Sequence, residues 1–461
     1  MDVLFLSRLQ FALTTMFHIL FPVLTIGLAV YLVVVEALWL RTKSEIYYRM
    51  YRFWVRIFAI HFAVGVVTGI VLEFEFGTNF SRFSYATANV FAPLMAFEAL
   101  TAFFLEAGFL GIMLFGWKRV PKTVHFLSTC LVAFGANLSG FWIMAANSWM
   151  QVPAGYELVD GRFMVTSFRE AIFNAAFPSY LLHMLLASYM TAAFAVAGIS
   201  AYFILKGSNV LFYRRSLGLA LIMAVLWAPL QVIIGDFNGL RVAQYQPAKL
   251  AALEAHWETN EKGGAPFVVF ALPDGKEERN RWELTVPNLL SLLITHSWEG
   301  KIPGLKDFPR EDRPNVVLPF WAFRIMVGIG FLYVLIMGWA FILWRRGTLF
   351  QSRSFLWVLV AVQPLGFIAT EAGWAVAEIG RQPWVVYGLM RTTEAVSPVA
   401  AGNVVWSLSL FLCFFAVIGA SYLYYVLRSL FRGPDLTSPI PPVQRPIGMR
   451  PLVEEPGTGG D

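Results

Sequence analysis

Charged residues are scarce in this chain. Asp, Glu, Lys and Arg together supply 14% of its 461 residues, against 58% hydrophobic residues. A water-soluble domain carries about 25% charge, so this balance belongs to a membrane protein. Cysteine is nearly absent. Cys130 and Cys413 both fall inside apolar runs, which argues against a disulfide framework or a thiolate metal site and leaves them as small buried hydrophobes. A basic leader with a small-residue cleavage site is also lacking, so the first apolar run is expected to stay as a membrane span. Neither a sequence repeat nor a second domain is visible.

What the chain has instead is long apolar runs. Nine of them, about 15–40, 54–76, 94–117, 124–149, 178–206, 216–236, 318–345, 354–378 and 404–428, approach or exceed the roughly 20 residues that cross a bilayer. The expected fold is therefore all-α and polytopic, with about nine transmembrane helices in one membrane domain over residues 1–432. Basic residues sort the loops. Arg41, Lys43, Arg49, Arg52 and Arg56 follow the first run, Lys118, Arg119 and Lys122 the third, and Lys206, Arg214 and Arg215 the fifth. Arg345, Arg346 and Arg353 follow the seventh, and Arg428 and Arg432 the ninth. Positive residues concentrate on the cytoplasmic side, which places the N-terminus outside and the C-terminus inside. The net charge of +6 is then a topology signal rather than a sign of nucleic-acid binding. The polar segment 237–317 falls outside the membrane. The Pro- and Gly-rich tail 433–461 is expected to be a disordered cytoplasmic extension.

The most informative stretch runs from Gly373-Trp374 through Glu378-Ile379-Gly380-Arg381-Gln382-Pro383-Trp384, at the end of the eighth run. A carboxylate there is costly unless a metal, a proton or a cation satisfies it. The Arg-Gln-Pro corner ends the helix and offers a grip for an anionic cofactor edge. His18, His183 and Met326 lie near the outer ends of the first, fifth and seventh runs, at the depth of Glu378. Histidine with methionine suits a six-coordinate, electron-transferring haem, whereas a lone histidine or glutamate leaves one iron face open. Each of the four also has a plain reading, as a hydrogen-bonded helix contact or core filler. His61 and His125 lie toward the inner side and read as structural; His256 and His296 read as solvated loop residues. Glu98 and Glu106 are eight residues apart on the third run, roughly 12 Å along an α-helix. They read as a proton relay, with helix–helix hydrogen bonding by protonated acids as the alternative. Glu73, Glu75 and Asp236 sit near the outer water and need no special role.

The combination resembles subunit I of the cytochrome bd family of quinol oxidases over nearly the whole chain. The motifs that carry the resemblance are Ser7-Arg8-Leu9-Gln10-Phe11-Ala12 before His18, Glu73-Phe74-Glu75-Phe76-Gly77-Thr78-Asn79, the Gly373–Trp384 stretch, and Lys249-Leu250-Ala251-Ala252-Leu253-Glu254-Ala255 followed by Trp257-Glu258-Thr259. The resemblance implies that His183 and Met326 ligate a low-spin haem b. It implies that His18 and Glu378 ligate the other two haems, a high-spin haem b and a haem d or third haem b. Trp374 would lie among the haems, and Arg324 and Arg381 beside propionates or iron-bound species. Lys249 and Glu254 would serve quinol oxidation from a helix over Pro247–Thr259, and Glu98 and Glu106 would carry protons. The interval from Glu254 to Met326 is short, as in the short-loop branch. The implied activity is quinol oxidation coupled to reduction of O2 to water at the bacterial inner membrane. Quinol protons would be released outside and consumed protons taken from the cytoplasm, without a pump. The implied partners are a second membrane subunit, a small accessory subunit, quinol, O2 and membrane lipid. Two other readings stay open on the residues alone: a haem-free proton-coupled transporter, and a b-type electron-transfer protein that never meets oxygen.

Overall fold

The computed structural model describes residues 2–437, and part of the expected tail, residues 438–461, lies outside that range. The chain runs through α1 (Val3–Ile19), α2 (Pro22–Thr42), α3 (Glu45–Thr78), α4 (Ser81–Thr87), α5 (Phe91–Phe97), a π-helical turn (Glu98–Phe103), α6 (Phe104–Phe115) and α7 (Lys122–Gln151). A hairpin of β1 (Tyr156–Val159) and β2 (Arg162–Val165) and the short α8 (Phe168–Ile172) follow, then α9 (Phe177–Leu205) and α10 (Val210–Tyr245). The interval before the next long helix holds α11 (Pro247–Leu253), a second hairpin of β3 (Phe267–Asp274) and β4 (Arg279–Val286), and α12 (Leu289–Thr295). The chain ends through α13 (Val317–Arg345), α14 (Arg353–Val362), α15 (Leu365–Ile379), a hairpin of β5 (Trp384–Val386) and β6 (Met390–Arg391), α16 (Thr392–Ala395) and α17 (Ala401–Arg432). The side bearing α11 and the β3–β4 hairpin is called the outer side below.

Among the described residues nine stretches are long and apolar enough to cross a membrane, as the sequence indicates. Their limits extend beyond the apolar runs by nine residues or more at three ends, one of them the start of the second at Glu45. The first stretch spans Val3–Thr42, because the polar residues of α1 hide a helix that hydropathy alone misses. The sixth runs nine residues beyond 236, to Tyr245, so the outer loop proper begins at Gln246.

The largest apolar cluster is built mainly from α2, α3, α9, α10, α13 and α14. Here the pattern has no polar face: α9 is buried almost all round by small residues such as Ala192, Ala193, Ala195, Ala197 and Ala201. Small side chains let neighbouring backbones approach, which is the usual route to helix packing in lipid. Gly27 shows the limit, since a Cβ there would sit 2.4 Å from the Ser188 carbonyl oxygen on α9. By contrast α17 and the α5–α6 stretch turn large apolar side chains outward, among them Phe104, Phe115, Trp406 and Val417.

Candidate functional site

The candidate ligands occupy the outer half of the bundle but not one plane. His18 faces Gly69 on α3, nine residues and about 14 Å from that helix's outer end. His183 is six residues into α9, Met326 nine residues into α13, and Glu378 one residue from the end of α15. His18 therefore does not lie near the outer end of its span, because α1 starts at Val3.

Three of these side chains face a bare backbone. A Cβ added to Gly69 would lie 3.2 Å from His18 Cε1, one on Gly235 3.3 Å from His183 Cε1, and one on Gly373 3.1 Å from the Met326 sulfur. Glycine at each point leaves room beside an imidazole edge or a thioether sulfur. His18 Nδ1 is hydrogen-bonded to Thr68 Oγ1 at 2.9 Å, and His183 Nε2 lies 3.4 Å from Gln231 Nε2. Glu378 accepts from Asn147 Nδ2 at 2.8 Å and from Arg381 Nη2 at 2.5 Å. Buried donors remain without partners: His183 Nδ1, Arg324 Nη1, and Arg381 Nε and Nη1. Imidazole and thioether groups facing glycines, with the spare guanidinium nitrogens of Arg324 and Arg381 in the same half of the bundle, fit an iron porphyrin with anionic propionates. Trp374 packs against the small cluster formed by Met144 and Ala145 of α7 and Phe177 of α9.

The candidate relay pair faces a single helix across a π turn. Glu98 opens the π-helical turn, whose i→i+5 bonding widens the helix. Both carboxylates consequently face α7: Glu98 accepts from Ser139 Oγ at 2.7 Å, and Glu106 packs where Gly135 has no side chain. Residues 135 and 139 are one turn apart, about 6 Å. π turns recur at functional sites.

Lys249 and Glu254, five residues apart, do point at different partners. Lys249 is 2% exposed and donates to Gln151 Oε1 at 3.2 Å and to the Ala377 carbonyl at 3.1 Å, beside Glu378. Burial, helped by the Arg381 charge, pulls its ammonium down to about 7, with Glu378 opposing. Glu254 is bonded to Arg324 Nη2 at 2.6 Å. Burial pushes its carboxyl up, and the guanidinium pulls it back. Arg324 also donates to the Val268 carbonyl at 2.7 Å, which ties the β3 strand to α13 two residues from Met326.

Several expectations need correction. The helix carrying Lys249 stops at Leu253, not Thr259. Ala255 takes a left-handed conformation, and His256 N–H bonds back to the Ala251 carbonyl at 2.8 Å, the closing turn of a Schellman motif. His256 is buried rather than solvated, and lies 3.2 Å from the Ile302 carbonyl. Glu75 is fully buried rather than near water: it accepts from Thr14 at 2.6 Å and from Gln10 at 3.4 Å. Sequence reasoning also passed over Thr68, Asn147, Gln151 and Glu371. Glu371 shares a face with Trp374 and Glu378, and both its carboxylate oxygens are buried without a partner. Its i, i+3, i+7 spacing with those two residues was the available signal.

The model of the family described as cytochrome bd terminal oxidase subunit I matches residues 6–434. The chain belongs to that family. It is 40% identical to cytochrome bd ubiquinol oxidase subunit 1 of Bacillus subtilis over 94% of this chain and 95% of that one. It is 36% identical to cytochrome bd-II ubiquinol oxidase subunit 1 of Escherichia coli, over 96% and 99% of the two chains. The solved bd oxidase of Geobacillus thermodenitrificans superimposes with a TM-score of 0.87 at 32% identity, covering 94% of this chain and 99% of the other. Membership makes haem the cofactor class and places the chain in the bacterial inner membrane as a multi-pass subunit of a terminal oxidase.

Proposed function

We propose that this chain holds three haems and the quinol site of a quinol:O2 oxidoreductase. The observation that carries the reading is the placement of His18, His183 and Met326 against glycines in a chain of this family. His183 and Met326 would hold a low-spin haem b. His18 and Glu378 would each hold one further haem, a high-spin haem b and a haem d or third haem b. Bound haem supplies electron storage and oxygen reduction.

The chain's own residues do the rest. Arg324 and Arg381 offer unpaired guanidinium nitrogens to cofactor carboxylates. Trp374 fills the space between the ligand-bearing helices. A neutral Lys249 and an ionised Glu254 can each accept a proton from quinol, which suits general-base work near neutral pH. Glu98, Ser139 and Glu106 carry protons toward the haems. With the N-terminus outside, quinol protons leave on the outer side and consumed protons enter from the cytoplasm. Each charge moved that way works against about 2.3 kcal/mol per 100 mV, without a pump. The outward-turned apolar faces of α17 and α5–α6 suit lipid, a second membrane subunit and a small accessory subunit.

Family membership favours this oxidase over a haem-free transporter or a b-type protein that never meets oxygen. The reduced-minus-oxidised spectrum of the purified complex, before and after carbon monoxide, tests it. Haem bands of which one part shifts with carbon monoxide are expected. A spectrum without haem, or one indifferent to carbon monoxide, overturns it. Met326→Leu should convert the low-spin haem to five-coordinate or lower its potential, and an unchanged low-spin signal removes Met326 from the ligand set.

A further inference from the structure

Thr68 sits about three helical turns inside the outer end of α3 and touches His18. Its hydroxyl has one hydrogen to give. Two backbone carbonyls compete for it: Val64 O at 2.9 Å and Gly65 O at 3.1 Å. Carbonyls only accept; with the hydrogen given to either of them, the 2.9 Å contact between Thr68 Oγ1 and His18 Nδ1 runs from the imidazole N–H to the hydroxyl oxygen. An imidazole with hydrogen on Nδ1 presents a free lone pair on Nε2.

The backbone around this contact is fixed from both sides. One turn outward on α1, Thr14 donates to the buried Glu75 of α3 at 2.6 Å, and Gln10 accepts from Ser407 of α17 at 2.9 Å. One residue beyond Thr68, Gly69 brings its bare Cα against the ring edge. The α1 helix is thus docked at successive turns, and the ring has a hydrogen-bonded edge and a free edge.

We infer that Thr68 is a positioning residue, which sets the tautomer and rotation of His18 so that Nε2 is offered to iron. The inference rests on His18 being a haem ligand. A hydrogen-bond acceptor on the far nitrogen of a ligating histidine orients the ring and raises its basicity, and its loss typically costs 10- to 100-fold in metal affinity. The His183 ring has no such anchor: its Nδ1 is buried without a partner. The two histidines are therefore held differently.

The test compares Thr68→Val, Thr68→Ser and His18→Ala in the whole oxidase complex. Two readouts are used: release of ferric haem to excess apomyoglobin, and the iron–histidine stretch in resonance Raman spectra of the reduced enzyme. Valine keeps the shape and removes the acceptor; serine keeps the hydroxyl. Thr68→Val should release one haem roughly tenfold faster and move the stretch to lower frequency. Thr68→Ser should behave as the parent. Should Thr68→Val match the parent while His18→Ala loses a haem, the positioning role is overturned and the ligand assignment stands. Should Thr68→Ser fall with Thr68→Val, the hydroxyl is not what matters and the inference is overturned. If His18→Ala keeps every haem, the ligand assignment fails and the inference with it.

Discussion

The inner and outer halves of the bundle satisfy their polar groups in different ways. On the inner side several buried groups answer each other: Tyr31 and Trp54 share Ser216, Tyr51 meets Thr129, and Glu36 meets His125 at 2.7 Å, while Glu36 Oε2, His125 Nε2, Tyr213 OH and Arg214 Nε have no partner among the described residues. Aromatic rings fill the gaps, as where Phe194 stacks on Tyr333 with centroids 3.7 Å apart. On the outer side two nitrogens of Arg381, one of Arg324, one of His183 and both oxygens of Glu371 lack partners. Buried charged groups left so are expensive in an all-protein core. The inner half joins polar groups in pairs across helices; the outer half gathers the candidate ligands and the candidate quinol residues. Changes in the two halves should therefore fail in different assays.

The largest functional loss is expected at the proposed proton relay of Glu98 and Glu106. Glu106→Gln keeps the volume beside Gly135 and removes the titratable group. General acid–base groups contribute roughly 100-fold or more. Turnover should fall by about that factor with haem content unchanged, and stopped-flow reoxidation of the reduced enzyme should slow in step. Parental turnover with full charge translocation would reject the relay.

Glu254→Gln should separate the quinol site from the haem core. Quinol-driven oxygen consumption is expected to drop roughly tenfold or more, while consumption driven by an artificial donor that bypasses the loop survives. Equal loss of both would show that Glu254 supports the fold through Arg324 instead.

In the inner half, Glu36→Ala strips His125 of its partner and should cost about 2 kcal/mol of stability. A thermal melt of the detergent-solubilised complex reads this, and the haem spectrum at low temperature should not change. A spectral change with no loss of stability would break the division between the halves.

Lys249 sharpens the comparison through pH. Burial lowers its folded value to about 7 from the usual 10.5, so between those values the unfolded loop binds more protons than the folded one. Stability of this segment should therefore rise with pH from about 7 to 10.5. Hydrogen exchange over α11 would report it as protection factors, corrected for base-catalysed intrinsic exchange, that rise in that window. Lys249→Met should flatten the dependence, and a slope of opposite sign would contradict the burial argument.

The division between halves was only partly legible in the sequence. Nine spans were, because a run of some 20 apolar residues has few other uses. The start of α1 was not, because Ser7, Arg8, Gln10 and Thr14 lower its hydropathy while three of them are buried against α3 and α17. The π turn between Glu98 and Glu106 has no residue signature, since it is a choice of hydrogen-bond partner. The Glu254–Arg324 pair joins residues 70 apart and needs the fold to be seen. Residue types pointed to His18, His183, Met326 and Glu378, but the glycines and hydroxyls that face them come from other helices.

The smallest expected effect concerns the end of α11, which the sequence hid for a related reason. Helices commonly close on a left-handed glycine, and here the position is Ala255, with φ of 49°. An L-residue there is strained by about 1 kcal/mol or more, while glycine would recover that strain and lose some of it to backbone entropy. Ala255→Gly should thus stabilise the Pro247–His256 turn slightly, by about 0.5 kcal/mol. The Schellman bonds from Ala255 and His256 back to Ala252 and Ala251 are backbone bonds and survive the change. Slower hydrogen exchange at those two amides, with quinol-driven activity unaltered, is the expected result. Faster exchange would mean that the Ala255 methyl, packed in the cluster with Trp257 and Phe320, contributes more than the strain it imposes.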